Sequence, residues 1–517
     1  MTIPELLAMR VKENPNKTWI FYGDQKITYQ DFDDTSNKLA NGLSKLGIRK
    51  GDKVGMFLRN RPEYLYCWFA LAKMGSVMVP MNYALKGEET NYILSHSEAG
   101  AIITTPPYLD IVLSVRGKCE MLEQIINIGD EPIPNTVYFK ELMENSLPLR
   151  PQVNISEDDI AAIIYTSGTT GKPKGVMLSH LSYIASAEAE QKVARLTPED
   201  RMMMVLPLFH VNAQTYSTLL SLVSGAALIM TERFSVSRYW DQVRQYKATQ
   251  VQLLLGPLAM LLNQPEREDD THHSVRFMTT PITKEMYQGV KRKYGIHRII
   301  TGYSQTECPM LILTDPDEEY RDRCIGYPTG TEKVKMEVKI VDEKDREVPP
   351  GTSGEMVIKS PAVMKGYYKN PEETARALRN GWLHTGDSCY KDEEGRYYFL
   401  DRLKDTVRRA DEFISSLEVE GILASHPKIA DAAVIPVPDK IVIEEVKAYI
   451  VLKPGETLKP EEIVDYCKER LATFKVPRYV EFRDSLPKTA TERIRKFELK
   501  AEGNLTECWD RKKAMGY

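Results

Sequence analysis

Short apolar segments alternate with longer amphipathic segments between Thr28 and Leu400, and this alternation constrains the fold more than any other feature of the chain. Val54–Leu58 has the character of a compact strand, Glu63–Met74 that of a helix, and Gly100–Thr104 that of the next strand. Because parallel neighbours need a long crossover, this alternation predicts parallel sheets covered by helices. A chain of 517 residues is also too long for one ordinary core, which predicts several domains.

The segment Thr28–Leu46 illustrates the helical half of the pattern. Thr28 and Asp31 have the spacing of a capping pair, and Phe32 and Leu39 recur at helical spacing. Gly47 follows directly and ends the predicted helix.

The pattern changes after Gly330. Val334–Val341 and Glu355–Lys359 are predicted strands, joined through a Pro-Pro-Gly turn at 349–351. A small α+β unit follows, and its predicted elements are the helix Leu417–Ser425, the strands Ala432–Val437 and Val446–Leu452, and the helix Pro460–Leu471. We place the domain boundary near Asp401–Asp405, which gives an N-terminal domain of residues 1–401 and a C-terminal domain of residues 402–517.

Composition excludes several classes of protein. With 42% hydrophobic and 27% charged residues, the chain has a globular profile, and a net charge of -4 gives no reason to expect nucleic acid as a partner. Seven scattered cysteines without a C-x-x-C pair argue against disulfides and zinc and favour a reducing cytoplasmic location. The longest apolar run, Tyr216–Met230, is shorter than the roughly 20 residues of a membrane span. It predicts a buried helix and strand instead.

A loop suited to phosphate follows the predicted strand Ile160–Ile164. From Thr166 to Gly175 it supplies glycines that let the backbone approach an anion, hydroxyls that donate hydrogen bonds, and two lysines. It is not a Walker A loop, because Pro173 stands where a magnesium-binding Ser or Thr would be required. Composition alone leaves a flexible surface loop as an equal alternative.

Three further motifs follow in order: Gly302–Glu307 (GYSQTE), Gly381–Asp387 (GWLHTGD) and Asp401–Asp405 (DRLKD). Together with the phosphate loop, they resemble the signatures of the adenylate-forming superfamily, which includes acyl-CoA synthetases, firefly luciferases and peptide-synthetase adenylation domains. The resemblance covers nearly the whole chain and is nearest to the carnitine/crotonobetaine-CoA ligase-like branch.

This resemblance implies both a fold and a reaction. The fold would be α/β, with a large N-terminal domain of parallel β-sheets covered by helices, a small β-barrel-like part, and a small mobile C-terminal α+β domain. The reaction would be attack of a carboxylic acid on the α-phosphate of ATP with Mg²⁺, release of pyrophosphate, and transfer of the acyl group to coenzyme A. A homodimer is an ordinary expectation for such an enzyme.

The resemblance also assigns roles to residues. The nucleotide site would comprise Thr166, Ser167, Gly168, Thr169, Thr170, Gly171, Lys172, Lys174, Thr279, Pro281, Gly302, Tyr303, Ser304, Thr306, Asp387 and Arg402. Within it, Thr306 would donate to the α-phosphate, Glu307 would hold magnesium, and Asp387 would accept from the ribose hydroxyls. The acyl pocket would comprise His210, Val211, Asn212, Gly256, Ser304 and Pro309. His210 and Arg493 would complete the catalytic set, Lys404 would be the hinge, and Asp411 and Glu412 would line the coenzyme A tunnel.

The sequence departs from the family pattern near its end. Arg493 stands at the position of the family's catalytic lysine, Asp411 at that of a tunnel glycine, and Val442-Ile443 replaces Arg-Gly. A planar guanidinium does not reproduce a compact ammonium group, and a side chain at 411 would narrow the tunnel. Two alternatives therefore stay open: an adenylating enzyme with another acceptor, such as an amine, or an impaired nucleotide or acyl binder. The intact Thr306, Glu307 and Asp387 count against the second.

The acid itself stays undetermined. The pocket segments mix polar residues such as Asn212, Gln214 and Ser304 with leucines, so a small or medium acid with some polarity fits as well as a fatty acid.

Overall fold

The computed structural model describes residues 1–144, 146–166, 173–409, 412–439, 443–488, 494–502, 505 and 508–515. The chain forms two compact units. The first comprises residues 1–338, 357–384 and 395–397, and the second comprises residues 339–356, 385–394 and 398–517. The boundary between residues 401 and 402 stays a prediction.

Strands are distributed along the whole of the first unit. In chain order they are β1 (Thr18–Tyr22), β2 (Gln25–Thr28), β3 (Lys53–Phe57), β4 (Val77–Pro80), β5 (Ala99–Thr104), β6 (Gln124–Asn127), β7 (Val137–Tyr138), β8 (Ile160–Thr166), β9 (Lys174–Ser179), β10 (Arg201–Met204), β11 (Ala227–Met230), β12 (Gln250–Gln252), β13 (Phe277–Thr279), β14 (Ile299–Ile300), β15 (Gly302–Gln305), β16 (Cys308–Leu313) and β17 (Cys324–Pro328).

Most helices of the first unit lie between these strands, one precedes the first strand, and two helical segments follow the last. They are α1 (Ile3–Glu13), α2 (Tyr29–Lys45), α3 (Pro62–Met74), α4 (Gly87–Ser97), α5 (Pro106–Arg116), α6 (Phe139–Glu144), α7 (His180–Ala194), a π-helix (Ala213–Leu219), α8 (Leu220–Ser224), α9 (Tyr239–Gln245), α10 (Leu255–Leu262), α11 (Lys284–Tyr294), α12 (Pro371–Ala377) and a 3₁₀ turn (Arg379–Gly381).

Two parallel-rich sheets organise the first unit, as the alternation of elements predicts. The first sheet has the order β14-β13-β12-β10-β11-β1-β2 and is parallel except for the β1–β2 pair. The second has the order β7-β6-β5-β3-β4-β8-β9 and is parallel except for the β8–β9 hairpin. Strands β15, β16 and β17 are antiparallel neighbours. The predicted α/β class is confirmed.

Residues close together in the sequence determine where helix α2 begins. The backbone N–H of Asp31 donates to the hydroxyl of Thr28 over 3.1 Å, which satisfies one of the free donors of the first turn. The Asp31 carboxylate accepts from the backbone N–H of Thr28 over 3.3 Å, so the predicted capping pair is confirmed. Phe32 and Leu39 are fully buried on the inner face of the helix.

The apolar run Tyr216–Met230 is a buried helix and strand, as predicted, but its first part is a π-helix. All residues of Ala213–Leu219 are buried. Within this helix, the Thr218 hydroxyl donates to the carbonyl of Ala213 over 2.9 Å. Strand β11 then follows α8 directly. No helix among the described residues is long and apolar enough to cross a membrane.

The later strands and helices form or border the second unit. They are β18 (Glu337–Val341), β19 (Gly354–Lys359), β20 (Leu383–Lys391), β21 (Tyr397–Arg402), β22 (Val407–Arg409), β23 (Glu412–Ile414), α13 (Ser416–Ala424), β24 (Ile429–Asp439), β25 (Ile443–Leu452), α14 (Pro460–Lys468), a 3₁₀ turn (Thr473–Lys475), β26 (Tyr479–Phe482), α15 (Lys496–Glu502), β27 (Trp509–Asp510) and α16 (Arg511–Met515). Strands β22 to β27 share one sheet, with β25 at its centre.

The predicted α+β character after Leu417 is confirmed, with small errors at the element ends. Helix α14 ends at Lys468, so the prediction of a helix to Leu471 was too long. Strand β18 begins at Glu337, so the prediction of a strand from Val334 was too early.

Ile443, at the start of β25, has an unusual backbone conformation. Its φ angle is 72°, in the left-handed region that a β-branched residue adopts only under strain. The side chain is 53% exposed, so little burial offsets the cost. The resemblance places a glycine at this position. The backbone of Ile443 has a φ angle that a glycine would adopt without steric cost.

We predict that Ile443→Gly stabilises the second unit by about 1 kcal/mol, because glycine adopts a positive φ without steric cost. Native-state hydrogen exchange of the β24 and β25 amides measures this change. Ile443→Ala is the matched control: it removes the same outer side-chain atoms but keeps Cβ, so it should recover less stability. If the glycine variant were less stable than the alanine variant, the inference that the backbone is strained at position 443 would be wrong.

Candidate functional site

Four of the predicted site segments lie at one edge of the first sheet. Strands β10, β12, β13 and β14 are parallel neighbours, so their carboxyl ends point the same way. The segments that follow these ends carry His210, Gly256, Pro281 and Gly302, while Thr279 is the last residue of β13. The carboxyl edge of a parallel sheet is where α/β proteins bind their ligands.

Backbone hydrogen bonds join these segments. The N–H of Thr280 donates to the carbonyl of Ile300 over 2.9 Å, and the N–H of Leu253 donates to that of Thr279 over 3.1 Å. The predicted adenine segments Thr279–Pro281 and Gly302–Tyr303 are therefore adjacent.

Thr306 and Glu307 form the tip of a tight hairpin. Strands β15 and β16 are antiparallel, and Gln305 pairs with Cys308, so the two residues between them make the turn. The hairpin explains why a glycine stands at position 302. A Cβ atom there would lie 2.5 Å from the carbonyl oxygen of Ile312, closer than any real contact.

Tyr367 links the hairpin to the phosphate loop. Its hydroxyl donates to Oε1 of Glu307 over 2.9 Å, and the Nζ of Lys174 lies 5.1 Å from the centre of its ring. The N–H of Met364 also donates to the carbonyl of Glu307 over 2.8 Å, which fixes the backbone of the turn. Sequence reasoning missed Tyr367, since a tyrosine outside the motifs carries no signal of its own.

Lys174 lies where a phosphate-binding cation is expected. In the β8–β9 hairpin it stands opposite Thr166, so both ends of the predicted phosphate loop are adjacent. Its ammonium group is ion-paired with Glu373, and this pairing lowers the pKa of the Glu373 carboxyl. The loop residues Ser167, Gly168, Thr169, Thr170, Gly171 and Lys172 lie outside the described residues.

The predicted acyl-pocket residues are tied to the buried π-helix. The Asn212 side-chain oxygen accepts from Nε2 of Gln252 over 2.9 Å, and Gln252 accepts in turn from the hydroxyl of Ser217 over 3.0 Å. The Tyr216 hydroxyl donates to the carbonyl of Pro309. A Cβ atom at Gly256 would meet nothing within 4 Å, so space is open in front of this glycine.

His210 and Val211 lead into the π-helix. The N–H of His210 donates to the carbonyl of Pro207 over 3.1 Å, and the ring of His210 lies 4.3 Å from that of Phe209. Val211 is buried at the same turn. Sequence reasoning missed the supporting residues Tyr216 and Gln252, because an apolar run with buried hydroxyls predicts a core helix first.

Asp387 and Arg402, predicted for the nucleotide, are brought together in the second unit. The Nε of Arg402 lies 2.9 Å from Oδ1 of Asp387, whose side chain is fully buried. The N–H of Asp387 donates to the hydroxyl of Thr385 over 3.1 Å. A buried carboxylate needs such a cation, because an unpaired charge in the interior is costly.

The remaining predicted residues are only partly described. Burial lowers the pKa of Lys404, and its carbonyl accepts from Nζ of Lys500, which also pairs with Asp405 over 2.7 Å. Glu412 lies in β23, and Asp411 and Arg493 lie outside the described residues.

A family model described as AMP-binding enzyme matches residues 7–368 of the chain, and a model of the AMP-binding enzyme C-terminal domain matches residues 418–493. The chain belongs to the AMP-binding enzyme family. The crotonobetaine/carnitine–CoA ligases of Salmonella arizonae and Salmonella agona are each 36% identical to it, and both alignments cover 92% of this chain and 93% of the relative.

Solved structures of AMP-binding enzymes have the same fold. The anthranilate CoA ligase AuaEII in complex with anthranoyl-AMP has a TM-score of 0.88 at 28% identity and covers 100% of this chain and 98% of its own. The O-succinylbenzoate CoA synthetase of Bacillus subtilis, in complex with AMP, has a TM-score of 0.84 at 29% identity and covers 97% and 98%. ATP-bound MatB from Rhodopseudomonas palustris has a TM-score of 0.87 at 26% identity and covers 98% and 99%.

These findings confirm the reaction class expected from the motifs. This AMP-binding enzyme is an acid–thiol ligase that activates a carboxylic acid with ATP as its acyl-AMP, releases pyrophosphate and transfers the acyl group to coenzyme A.

We predict that Tyr367→Phe slows acyl-AMP formation about tenfold, because a hydrogen bond to a charged carboxylate contributes about 1.5 kcal/mol and positions Glu307. The magnesium concentration needed for half-maximal pyrophosphate release should rise as well. Tyr368→Phe is the matched control, since its hydroxyl donates to Glu98 instead. Equal effects of the two variants on rate and magnesium requirement would contradict the positioning of Glu307 by Tyr367.

Proposed function

We propose that in this ligase the carboxylic acid and Mg²⁺-ATP meet at the carboxyl edge of the first sheet. One observation carries the proposal. The Thr306–Glu307 turn, Tyr367 and Lys174 form a continuous set of contacts at the entrance to the predicted phosphate loop. Two anions must react here, so the site has to supply positive charge and fixed donors.

Each of these residues has a role that its chemistry suits. The Thr306 hydroxyl donates to the α-phosphate, and Lys174 exchanges its ion pair with Glu373 for phosphate oxygens. Thr166 and the glycine-rich segment 167–172 hold the outer phosphates through hydroxyl and backbone donors. These groups hold the α-phosphate in line with the incoming carboxylate, which is the main catalytic requirement.

Glu307 suits a magnesium ion. Magnesium is commonly bound by one or two carboxylates together with phosphate oxygens and water, and Glu307 presents such a carboxylate at a fixed turn. When bound, magnesium neutralises the charge of the phosphates. Tyr367 holds one oxygen of Glu307 by a hydrogen bond, which leaves the other oxygen for the ion.

Asp387 and Arg402 suit the ribose. Asp387 is ion-paired with Arg402, and a carboxylate can accept hydrogen bonds from two neighbouring hydroxyls. Thr279, Pro281, Gly302, Tyr303 and Ser304 border the adenine, and His210, Val211, Asn212, Gly256 and Pro309 border the acid.

We assign the second half-reaction to residues 402–517, with Lys404 as the hinge and Asp411 and Glu412 beside the pantetheine chain. The seven cysteines are free, which supports work in a reducing compartment such as the cytoplasm. A homodimer stays a prediction.

Pyrophosphate release from Mg²⁺-ATP across a panel of carboxylic acids, with and without coenzyme A, tests the proposal. We expect acid-dependent release that turns over only when coenzyme A is present. Asp387→Asn and Thr306→Val should each lower acyl-AMP formation about 100-fold or more while the fold is kept, because each removes a group that contacts the nucleotide. Asp392→Asn is the matched control, since it changes a carboxylate that accepts from Tyr398 in the same unit.

If either variant kept full activity, the assignment of the substituted residue to the nucleotide site would be wrong. A single-turnover burst that coenzyme A does not relieve would contradict coenzyme A as the acceptor and favour an amine. No pyrophosphate release from any acid, with ATP binding measured separately, would favour an impaired binder.

We predict that Arg493→Lys raises the rate of acyl-AMP formation about tenfold, because a compact ammonium fits between a carboxylate and a phosphate better than a planar guanidinium does. Single-turnover formation of the acyl-adenylate measures this rate directly. The matched control is Arg495→Lys, two residues further on, where the side chain pairs with Glu498 instead. An unchanged rate in Arg493→Lys would mean that arginine already suffices or that position 493 is not catalytic.

A further inference from the structure

Helix α4 carries two polar side chains that contact both ends of the predicted phosphate loop. The hydroxyl of Tyr92 donates to the carbonyl of Pro173 over 2.9 Å, and Nδ1 of His96 lies 2.8 Å from the hydroxyl oxygen of Tyr165. Tyr165 directly precedes the loop, and Pro173 is near its end. One helix, distant in sequence, therefore contacts the chain on both sides of the loop.

The core of the second sheet holds α4 in place. Ile93 and Leu94 are buried in an apolar cluster with residues of β3, β4 and β5. Tyr92 and His96 lie four positions apart on a neighbouring face of the helix, and their rings are stacked with centres 5.3 Å apart. A helix anchored in this way offers a fixed support to the groups that its other face contacts.

Tyr165 packs between this face and the hairpin that the loop closes. Tyr165 stands opposite Gly175 in the β8–β9 pair. A Cβ atom at position 175 would lie 3.2 Å from Cζ of Tyr165 and 2.7 Å from Cγ2 of Ile163, so the glycine leaves space for both side chains. The tyrosine ring also meets Tyr92 and His96 edge-on, with centres 6.3 and 5.7 Å away. The ring thereby joins the hairpin to α4.

The contact of Tyr92 fixes the backbone of Lys174. The carbonyl of Pro173 and the N–H of Lys174 belong to one planar peptide group, so a bond to the first orients the second. Lys174 stands opposite Thr166 in the hairpin, and its ammonium group is ion-paired with Glu373. Tyr92 therefore holds the part of the chain from which the cation of the loop extends.

The tyrosines contribute position and no charge. Burial raises the pKa of Tyr92 and of Tyr165, so both hydroxyls stay protonated in the neutral pH range. A neutral phenol neither attracts nor repels a polyphosphate at long range. The effect of these residues on a bound anion must act through the loop that they contact.

We propose that Tyr92 and His96 are positioning residues that hold the two ends of the phosphate loop in place for the outer phosphates of ATP. This rests on the proposed function, because it takes the chain from Thr166 to Lys174 as the site of those phosphates. A loop whose ends are already fixed loses less conformational entropy on binding, so its donors and its lysine bind the phosphates more tightly.

The proposal separates the two half-reactions. AMP and acyl-AMP have only the α-phosphate, so transfer from a preformed acyl-AMP to coenzyme A does not involve the outer phosphates. Loss of the two contacts should therefore weaken ATP binding and slow acyl-AMP formation. AMP binding and thioester formation should stay unchanged, whereas a general loss of stability would affect all four.

Calorimetric titration of the full-length protein with Mg²⁺-ATP and, separately, with AMP tests the proposal without an identified acid. We expect Tyr92→Phe to weaken the binding of Mg²⁺-ATP about fivefold, because one net hydrogen bond is lost. The double variant Tyr92→Phe/His96→Leu should weaken it about twentyfold, because both ends of the loop are released. In both variants the affinity for AMP should stay within about twofold of the wild-type value.

Tyr138→Phe is the matched control. Its hydroxyl also donates to a backbone carbonyl, that of Asp130 over 2.7 Å, but it lies at the opposite edge of the same sheet. This variant should keep both affinities. His96→Asn should regain most of the ATP affinity that His96→Leu loses, because the asparagine amide places a polar atom near the position of Nδ1.

Three outcomes overturn the proposal. One is a folded double variant that keeps the wild-type affinity for Mg²⁺-ATP. Another is a double variant whose affinities for ATP and AMP fall by the same factor, which would show a purely structural role. In both cases the proposed function stands without these two residues. The third is a wild-type protein that does not bind Mg²⁺-ATP, which removes the proposed function itself.

Discussion

The site depends on one constraint, which is that parallel strands joined by helical crossovers bring their carboxyl ends to the same edge. Strands β10, β12, β13 and β14 obey it, and the segments after them carry His210, Gly256, Pro281 and Gly302. These residues are far apart in sequence and share one edge only because the sheet is parallel. An antiparallel arrangement of the same strands would send alternate segments to opposite edges.

Sequence reasoning succeeded where the cause was local. The capping of α2 by Thr28 and Asp31 involves residues three positions apart, and a glycine in a signature motif points to close backbone packing. Sequence reasoning failed for contacts between residues that are far apart in the chain. Tyr367 contacts Glu307, which lies 60 residues earlier in the chain. The sequence around Tyr367 contains no pattern that predicts this contact. The π-helix was also missed, and one of its contacts is likewise distant in sequence, since the Ser217 hydroxyl donates to Gln252 on strand β12.

Buried polar groups of the first unit fall into two kinds. Lys73 is almost completely buried, yet its ammonium donates to the carboxylate of Asp33 and to the side chains of Ser36 and Asn37. Burial still lowers the pKa of Lys73 to about 8, and the interaction with the Asp33 carboxylate offsets part of that effect. Glu190 is as deeply buried and has none of these compensations among the described residues. Burial therefore raises the pKa of the Glu190 carboxyl well above its usual range and favours its neutral form.

One departure from the family pattern, Ile443, lies among the described residues of the second unit. Ile443 pairs with Arg409 at the end of β22, and Asp411 follows two residues later along the chain. Arg409 is itself held by Glu445, whose buried carboxylate lies 3.0 Å from its Nε. Ile443 therefore pairs with the strand that directly precedes positions 411 and 412 in the sequence, which are proposed for the coenzyme A tunnel. Thr306, Glu307 and Asp387, proposed for the first half-reaction, keep the residue types that the chemistry requires. Thioester formation is therefore one step at which this enzyme should differ from its relatives, whereas Arg493, proposed for acyl-AMP formation, is the departure that bears on the first half-reaction.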